Sequence, residues 1–275
     1  MTHVDPAGLA TELLQAYAER RLVPPPSSRD GGLDLAAAYA VESQIVARRR
    51  AAGHRPVGVK VGFANKAAWR VLKLETLVWA HMYDDTVHQA ADNQAELPVG
   101  PLVAPKIEPE IVFCLGHPVP AGAADAVAVL EAVDWIALGF EVIDCVFPDW
   151  KFQPVDFVAS KGLHAGLVMG APLGVTDANR AAIADALPSF TVRLEKDGVQ
   201  VAEGSGRNSL RSPALCLGEL ASAIARGAGG SRAPLQAGEL ISSGTLTESQ
   251  PMAAGDTWTA RVDGLDLPSL TLRIV

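Results

Sequence analysis

Apolar residues recur at helical spacing in the first part of the chain and in short runs through most of the rest. Leu9, Leu13 and Tyr17 follow one another at four-residue steps, which predicts a helix that begins just after Asp5. A second helix is predicted over residues 34–52, where apolar side chains recur on one face. The chain therefore opens with two helices.

Beyond residue 105, apolar runs bounded by turn residues predict a strand-rich segment. Asp197-Gly198 separates two of these runs and predicts a tight hairpin. Strands joined by turns favour an antiparallel or mixed sheet over alternating parallel units. Strands are predicted at residues 57–63, 106–115, 136–144, 166–169, 190–196, 199–204, 239–243, 257–262 and 269–275, and one clear helix, with Ser212 as N-cap and Pro213 following, interrupts them.

A short helix is predicted from Asn65 to Leu72. Residues 79–101 after it have no clear period and are predicted to be irregular. We place a domain boundary near Pro98, where this region gives way to the strand-rich segment.

Composition narrows the class of protein. The chain has 275 residues, 49% hydrophobic and 20% charged, so it can bury a sizeable core. A formal net charge of −8 with no long basic run argues against nucleic acid as a partner. No apolar stretch is long enough to span a membrane, and the N-terminus lacks a signal-peptide pattern. Three widely spaced cysteines favour a cytoplasmic location and indicate neither disulfides nor a zinc site.

Two carboxylates stand two residues apart in the strand predicted at 106–115. Residues i and i+2 of a strand point to one face, so Glu108 and Glu110 lie side by side. The flanking apolar residues indicate burial, and a divalent cation such as Mg²⁺ or Mn²⁺ would remove the repulsion between them. The alternative is a solvent-facing edge strand marked by Pro109.

Two more charges interrupt apolar strands. Glu141 is a lone carboxylate, which is rare in a buried strand unless it is paired with an arginine or binds a metal. Lys60 is flanked by Gly58 and Gly62 on its own face, which leaves room for a ligand or another backbone. Such a lysine can bind a substrate carboxylate or act in proton transfer, unless it is an exposed residue on an edge strand.

Polar segments at two strand ends are candidates for substrate binding. Ser160 and Lys161 come directly before one strand, and Gly244 and Thr245 come directly after another. Small hydroxyl residues and glycine at such ends can donate hydrogen bonds to a carboxylate. Each segment can equally be an ordinary turn.

The order of these segments resembles the 2-hydroxypentadienoate (2-keto-4-pentenoate) hydratase and 4-oxalocrotonate decarboxylase branch of the fumarylacetoacetate hydrolase superfamily. The matching stretches run from residue 57 to the end of the chain. They are Gly58-Val-Lys60-Val-Gly62, Tyr83-Asp84-Asp85, Ile107-Glu108-Pro-Glu110-Ile-Val-Phe113, Phe140-Glu141-Val-Ile-Asp144, Gly198-Val-Gln-Val-Ala-Glu-Gly204-Ser-Gly206, Ala237-Gly-Glu-Leu-Ile241-Ser-Ser-Gly244-Thr245 and Gly255-Asp256-Thr257.

The resemblance implies an α+β fold: a mixed β-roll of the fumarylacetoacetate hydrolase C-terminal type with a helical N-terminal subdomain. We expect residues 1–97 to form a helical, lid-forming part and residues 98–275 to form the catalytic β-roll. The resemblance further implies that the chain assembles as a homo-oligomer, a dimer or larger.

The resemblance also assigns roles to site residues. It implies a divalent cation held by Glu108, Glu110 and Glu141, with catalytic roles for the lysine at Lys60 and the aspartate at Asp85. The implied substrate is a small 2-oxo or 2-hydroxy-dienoic acid. The cation would polarise the 2-oxo group and stabilise an enolate, which serves hydration and decarboxylation alike.

The sequence departs from the hydratase pattern at one segment. Ser160 and Lys161 stand where hydratases usually carry an Asp-Asn pair, and His164 replaces a small polar residue. A Ser-Lys-Gly segment is similar to the hydrolase and oxaloacetate decarboxylase branches, in which that lysine faces the active site. We therefore expect Lys161 to line the site and to favour a reaction that develops more negative charge than hydration does.

Two other functions are consistent with these residues. An acylpyruvate-type C–C bond hydrolase would use the same site with an added general base, for which His54, His81 and His88 are the nearest candidates. A non-catalytic binding protein could retain the fold. The intact glutamates and Lys60 count against that second alternative.

Overall fold

The computed structural model describes residues 4–123, 125–230 and 232–275. Its helices are α1 (Pro6–Ala18), α2 (Leu35–Ala51), α3 (Lys66–Leu72), α4 (Ala126–Leu130), α5 (Pro154–Ala159), α6 (Arg180–Ala186) and α7 (Pro213–Ala225). Its strands are β1 (Pro56–Gly62), β2 (Val78–Tyr83), β3 (Val87–Gln89), β4 (Gln94–Leu97), β5 (Lys106–Leu115), β6 (Val133–Ile143), β7 (His164–Met169), β8 (Leu173–Gly174), β9 (Thr191–Lys196), β10 (Val199–Ser205), β11 (Leu240–Ser242), β12 (Gln250–Pro251), β13 (Thr257–Asp263) and β14 (Leu270–Ile274). Every strand predicted from the sequence is present.

Side-chain caps fix the beginnings of the N-terminal helices. Asp5 accepts a hydrogen bond from the Ala7 amide at 3.1 Å, and Asp34 accepts one from the Ala37 amide at 2.8 Å. Each bond satisfies an amide that the first helical turn leaves unpaired. Ser212 occupies the N-cap position of α7 as predicted, but its side chain makes no capping bond there.

The described strands form two mixed sheets, of nine and five strands. The larger has the order β2-β1-β11-β5-β6-β7-β3, with β12 beside β5 and β8 beside β6, and the smaller has the order β10-β9-β13-β14-β4. Most pairs are antiparallel, while β1 with β11, β3 with β7 and β14 with β4 are parallel. The predicted mixed sheet and the hairpin at Asp197-Gly198, between β9 and β10, are confirmed.

Strand β5 lies inside the larger sheet, so the edge-strand alternative for the glutamate pair is wrong. It pairs with β6 on one side and with β11 and β12 on the other. The Pro109 carbonyl accepts a bond from the Leu246 amide, in the gap between β11 and β12. Since the N–H and C=O of one strand residue point to the same side, the missing proline N–H falls in that gap.

The prediction that residues 79–101 are irregular is wrong, because β2, β3 and β4 occupy much of this region. β3 and β4 are only three and four residues long and pair in parallel with β7 and β14. Strands this short carry too few alternations to be recognised locally. The helix predicted after Ser212 is confirmed as α7, and the later segment also contains three short helices, α4, α5 and α6, that the sequence did not predict.

The N-terminal part of the chain contributes directly to the larger sheet. β1 lies between β2 and β11, two strands away from β5. On α1, the Tyr17 hydroxyl bonds the Ser160 hydroxyl and donates to the Asp144 carbonyl, both at 2.9 Å, which fixes the helix over the segment before β7. The division at residue 97 stays a prediction. No helix in the described ranges is both long and apolar enough to cross a membrane.

Candidate active site

Three carboxylates converge where β5 and β6 pair. Glu108 lies directly opposite Glu141 in the register, and Glu110 is two residues further along the same face. One oxygen from each of the three lies within 4.8 Å of the others. Glu110 and Glu141 are completely buried, and Glu108 is partly buried. The convergence expected from the sequence is present, while the binding of a cation stays a prediction.

The surroundings of Glu110 fit a hard cation. The Ser242 hydroxyl and the Gly244 amide donate to Glu110 Oε2 at 2.5 and 2.8 Å. Its other oxygen, Oε1, is buried without a hydrogen-bond partner among the described residues. Burial, together with repulsion from nearby carboxylates, raises the pKa of Glu108 and of Glu110 to about 8. An oxygen-rich, negatively charged site of this kind suits Mg²⁺ or Mn²⁺.

Lys60 lies beside the carboxylates. Its Nζ is 2.7 Å from Glu141 Oε2, and the Lys60 side chain is 2% exposed. Both alternatives considered from the sequence, a solvated edge lysine and a glutamate paired with arginine, are therefore wrong. Burial by itself would lower the pKa of Lys60 because it disfavours the charged ammonium. Attraction to the three carboxylates outweighs this effect, and the pKa of Lys60 is raised. Lys60 is thus held charged next to the metal-ligand candidates.

The glycines that flank Lys60 make room for protein atoms. A Cβ at Gly58 would lie 1.9 Å from the Leu240 carbonyl oxygen, because β1 and β11 are in close contact there. A Cβ at Gly62 would lie 2.4 Å from the Phe157 ring. The sequence predicted that these glycines leave room for a ligand or for another backbone. Gly58 leaves room for the backbone of β11.

A cavity of about 370 Å³ opens beside these residues. Lys60 and Glu108 lie on its wall together with Phe157, Gly244 and Thr245. The Gly244 amide is already bonded to Glu110, and the Thr245 hydroxyl donates to the Thr247 carbonyl at 2.8 Å. The predicted substrate-binding roles of Gly244 and Thr245 stay predictions, and their polar groups also stabilise the wall.

Ser160 and Lys161 do not line this cavity. Ser160 is buried against Tyr17 of α1. The Lys161 ammonium donates to the His164 carbonyl and lies 4.4 Å from the centre of the Tyr17 ring. Burial lowers the pKa of Lys161 to about 8. Both side chains thus contact Tyr17 of α1. The roles predicted for Ser160 and Lys161 in substrate binding and catalysis stay predictions.

Asp85 belongs to a separate surface cluster. It pairs with Arg49, and His54 Nδ1 lies 3.4 Å from its other oxygen. With Asp84 these groups could by distance hold a metal ion, but Arg49 and Arg55 already neutralise the two aspartates. Asp85 does not line the cavity beside Lys60, and its catalytic role stays a prediction.

His164 is the site residue whose role the sequence left open. Its Nδ1 lies 3.2 Å from Glu141 Oε1, and its Nε2 lies 2.9 Å from the Thr86 hydroxyl. Burial and the nearby lysine ammonium groups hold the pKa of His164 well below its usual range, so the ring is neutral. A neutral ring that donates from Nδ1 to Glu141 has Nε2 free to accept from the Thr86 hydroxyl, whose single proton is shared between that contact and the Tyr83 carbonyl at 3.0 Å. The replacement at position 164 was a visible signal, whereas nothing in the sequence marked Thr86.

The chain has curated relatives along nearly its whole length. A 4-oxalocrotonate decarboxylase of Pseudomonas sp. (strain CF600) is 28% identical over 266 residues, which cover 96% of this chain and 96% of the relative. A 2-hydroxypent-2,4-dienoate hydratase of Pseudomonas putida is 29% identical over 221 residues, covering 78% of this chain and 94% of the relative. The resemblance to the hydratase and decarboxylase branch is therefore confirmed.

Solved structures confirm the predicted fold. The 4-oxalocrotonate decarboxylase from Pseudomonas putida G7, complexed with magnesium and adipate, matches with a TM-score of 0.85 at 25% identity, over 98% of this chain and 97% of that one. The fumarylpyruvate hydrolase from Pseudomonas aeruginosa, in complex with Mn²⁺ and pyruvate, shares the fold alone, with a TM-score of 0.58 at 16% identity over 80% of this chain and 89% of that one. The family model of the fumarylacetoacetate (FAA) hydrolase C-terminal region matches residues 57–275, and the chain belongs to this family.

Proposed function

We propose that this protein is a divalent-metal-dependent lyase, a hydratase or decarboxylase, that acts on a small 2-oxo or 2-hydroxy-dienoic acid. The observation that carries the proposal is the cluster of three carboxylates beside Lys60, of which Glu108 lines one cavity together with Lys60. Curated relatives named as hydratases and as a decarboxylase support the same class of reaction.

Glu108, Glu110 and Glu141 would hold the cation. The named complexes of structural relatives contain magnesium, calcium or Mn²⁺, which supports a divalent ion, and we propose Mg²⁺ or Mn²⁺. When bound, such an ion supplies electrophilic polarisation of the substrate's 2-oxo group.

Lys60 would provide the proton chemistry. Its ammonium lies on the cavity wall and is held by Glu141, so it can orient a substrate carboxylate or deliver a proton from Nζ to a substrate carbon. Asp85 and Lys161 lie outside the wall, so we propose that they act through their neighbours. Lys161 would position His164 through that residue's carbonyl group, and Asp85 would hold Arg49.

The position of the histidines disfavours an acylpyruvate-type hydrolase that uses His54, His81 or His88 as its base. Hydrolysis needs a base for the attacking water. His81 is bonded to Glu42 at 2.7 Å, His54 belongs to the Asp85 cluster, and neither His54, His81 nor His88 lines the cavity that holds Lys60. A non-catalytic binding protein is disfavoured, because the three neighbouring carboxylates are destabilising when buried together and such a protein would not need them for a reaction.

We further propose a homo-oligomer located in the cytoplasm. The free cysteines Cys114, Cys145 and Cys216 support a reducing compartment. β10 lies at one end of the smaller sheet and exposes Val199 and Val201, which supports association through a sheet surface.

The test is a substrate panel with product identification by NMR. 4-Oxalocrotonate, 2-hydroxypentadienoate, oxaloacetate and an acylpyruvate would each be offered with Mg²⁺, with Mn²⁺ and with a chelator. We expect metal-dependent hydration or decarboxylation. Products of C–C hydrolysis would support the alternative, and no turnover of any substrate by folded, metal-supplied protein would refute the proposal.

A further inference from the structure

A second cavity adjoins the one that contains Lys60. It has a volume of about 350 Å³, and Ala64, Asn65 and Asn208 belong to the walls of both cavities. A ligand that reaches past these shared residues would extend from the carboxylate cluster into the second space. The second cavity therefore offers a place for the distal end of a substrate.

The wall of the second cavity is cationic. Lys66, Arg207 and Arg211 all line it and are exposed to solvent. None of the three forms an ion pair with a carboxylate of the described residues, in a chain whose net charge is −8. Glu108 and Glu248 line the first cavity, and no acidic residue of the described ranges lines the second. Three unpaired cations around one cavity favour an anionic ligand.

The segment that carries two of these cations has a strained backbone. Leu210 and Arg211 have φ angles of +48° and +74°, which residues other than glycine rarely adopt. The segment is held in place by bonds from the Leu210 amide to the Ala64 carbonyl and from the Arg211 amide to the Arg207 carbonyl, at 2.8 and 2.9 Å. An arginine kept where glycine would be unstrained points to a use for its guanidinium group.

We propose that Lys66, Arg207 and Arg211 bind a second, distal carboxylate, and that the preferred substrate is a 2-oxo dicarboxylic acid. This inference rests on the proposed function, since the 2-oxo end must lie at Lys60 and the glutamates. Arginine suits the role because its guanidinium group binds carboxylates in a bidentate fashion. The three cations then discriminate between dianionic and monoanionic acids that share the same reacting end.

A binding experiment tests the proposal without turnover. Adipate and hexanoate have carbon chains of equal length and differ in the second carboxylate. Each would be titrated calorimetrically into the Mg²⁺-supplied protein and into the variants Arg207→Gln and Arg211→Gly. Arg70→Gln is the control, because Arg70 is an exposed cation of α3 that lines neither cavity.

We expect adipate to bind the native protein more tightly than hexanoate, and each variant to weaken adipate binding by roughly tenfold or more while hexanoate binding is unchanged. Arg211→Gly removes the backbone strain with the charge, so its melting temperature should not fall, which separates lost recognition from lost folding. The same variants should lower kcat/KM for 4-oxalocrotonate relative to 2-hydroxypentadienoate.

Equal affinity of the native protein for adipate and hexanoate would overturn the inference, as would unchanged adipate affinity in both variants. Turnover of the substrates without discrimination between them would refute this inference and leave the proposed function standing. Discrimination between adipate and hexanoate without turnover of any 2-oxo acid would refute the proposed function instead.

Discussion

Lys60 Nζ lies 2.7 Å from Glu141 Oε2, and both side chains are almost completely removed from solvent. The Lys60 ammonium also interacts electrostatically with the carboxylates of Glu108 and Glu110, so one positive charge faces up to three negative charges. A buried ion pair is stabilising only when all its charges are compensated. The excess negative charge explains why this site fits a divalent cation, and it makes the role of each residue testable.

Removing one carboxylate should separate metal binding from folding. In Glu110→Gln we expect a higher melting temperature without metal, because a neutral amide replaces a carboxyl group whose ionisation is opposed by burial and by the neighbouring carboxylate of Glu141. Saturating Mg²⁺, at a hundredfold excess over its Kd, should stabilise the native protein by about 2.7 kcal/mol, or about 5–10 °C, and leave the variant unchanged. Differential scanning calorimetry with Mg²⁺ and with EDTA measures both effects.

Glu248→Gln is the matched control, since Glu248 is an exposed glutamate on the same cavity wall. It should keep the full Mg²⁺ response. An unaltered response in Glu110→Gln would remove Glu110 from the set of ligands.

Lys60→Met should impair catalysis more than metal binding. The ammonium lies on the cavity wall, where it can hold or deliver a proton, and general acid–base groups contribute about 10²–10⁴-fold to rates. We therefore expect kcat to fall by at least about a hundredfold, while the Kd for Mn²⁺ changes far less. Steady-state kinetics and calorimetric titration give the two numbers, and unchanged turnover would rule out a catalytic role for Lys60.

His164 should orient Glu141 through the hydrogen bond at Nδ1. Groups that hold a metal ligand typically contribute about 10–100-fold to metal affinity. We expect His164→Asn to weaken Mn²⁺ binding within that range, and Thr86→Val, which removes the hydroxyl at Nε2, to weaken it in the same direction. If Thr86→Val leaves affinity unchanged while His164→Asn reduces it, the orientation of the ring does not depend on Thr86.

Lys161→Asn should change the balance between reactions. The ammonium donates to the His164 carbonyl and stacks on Tyr17, so its loss should disturb the segment before β7 and remove a positive charge near the site. We expect the ratio of decarboxylation to hydration to fall, as measured by NMR analysis of products. Lys151→Asn, at an exposed lysine, is the control. Unchanged rate and substrate preference would show that Lys161 has no part in the reaction.

The candidate site could be predicted from the sequence where its signals are local. Glu108 and Glu110 share a face because a strand has a period of two, and Glu141 stands out as a charge in an apolar run. The pairing that sets Glu108 opposite Glu141 is a property of register, which no short window contains.

The remaining features depend on contacts between distant segments. The contact between the hydroxyl groups of Ser160 and Tyr17 has no local signal in the sequence, because α1 brings Tyr17 across the segment before β7. Thr86 carried no signal because its role exists only through the ring of His164. Likewise, β3 and β4 are stabilised by their parallel partners β7 and β14, which follow them at a distance along the chain.

The most direct test of the metal site is an anomalous diffraction map from crystals soaked in Mn²⁺. The account predicts one strong peak with oxygens of Glu108, Glu110 and Glu141 about 2.0–2.2 Å away. A peak confined to His54, Asp84 and Asp85, or no peak between the three glutamates at saturating Mn²⁺, would contradict it.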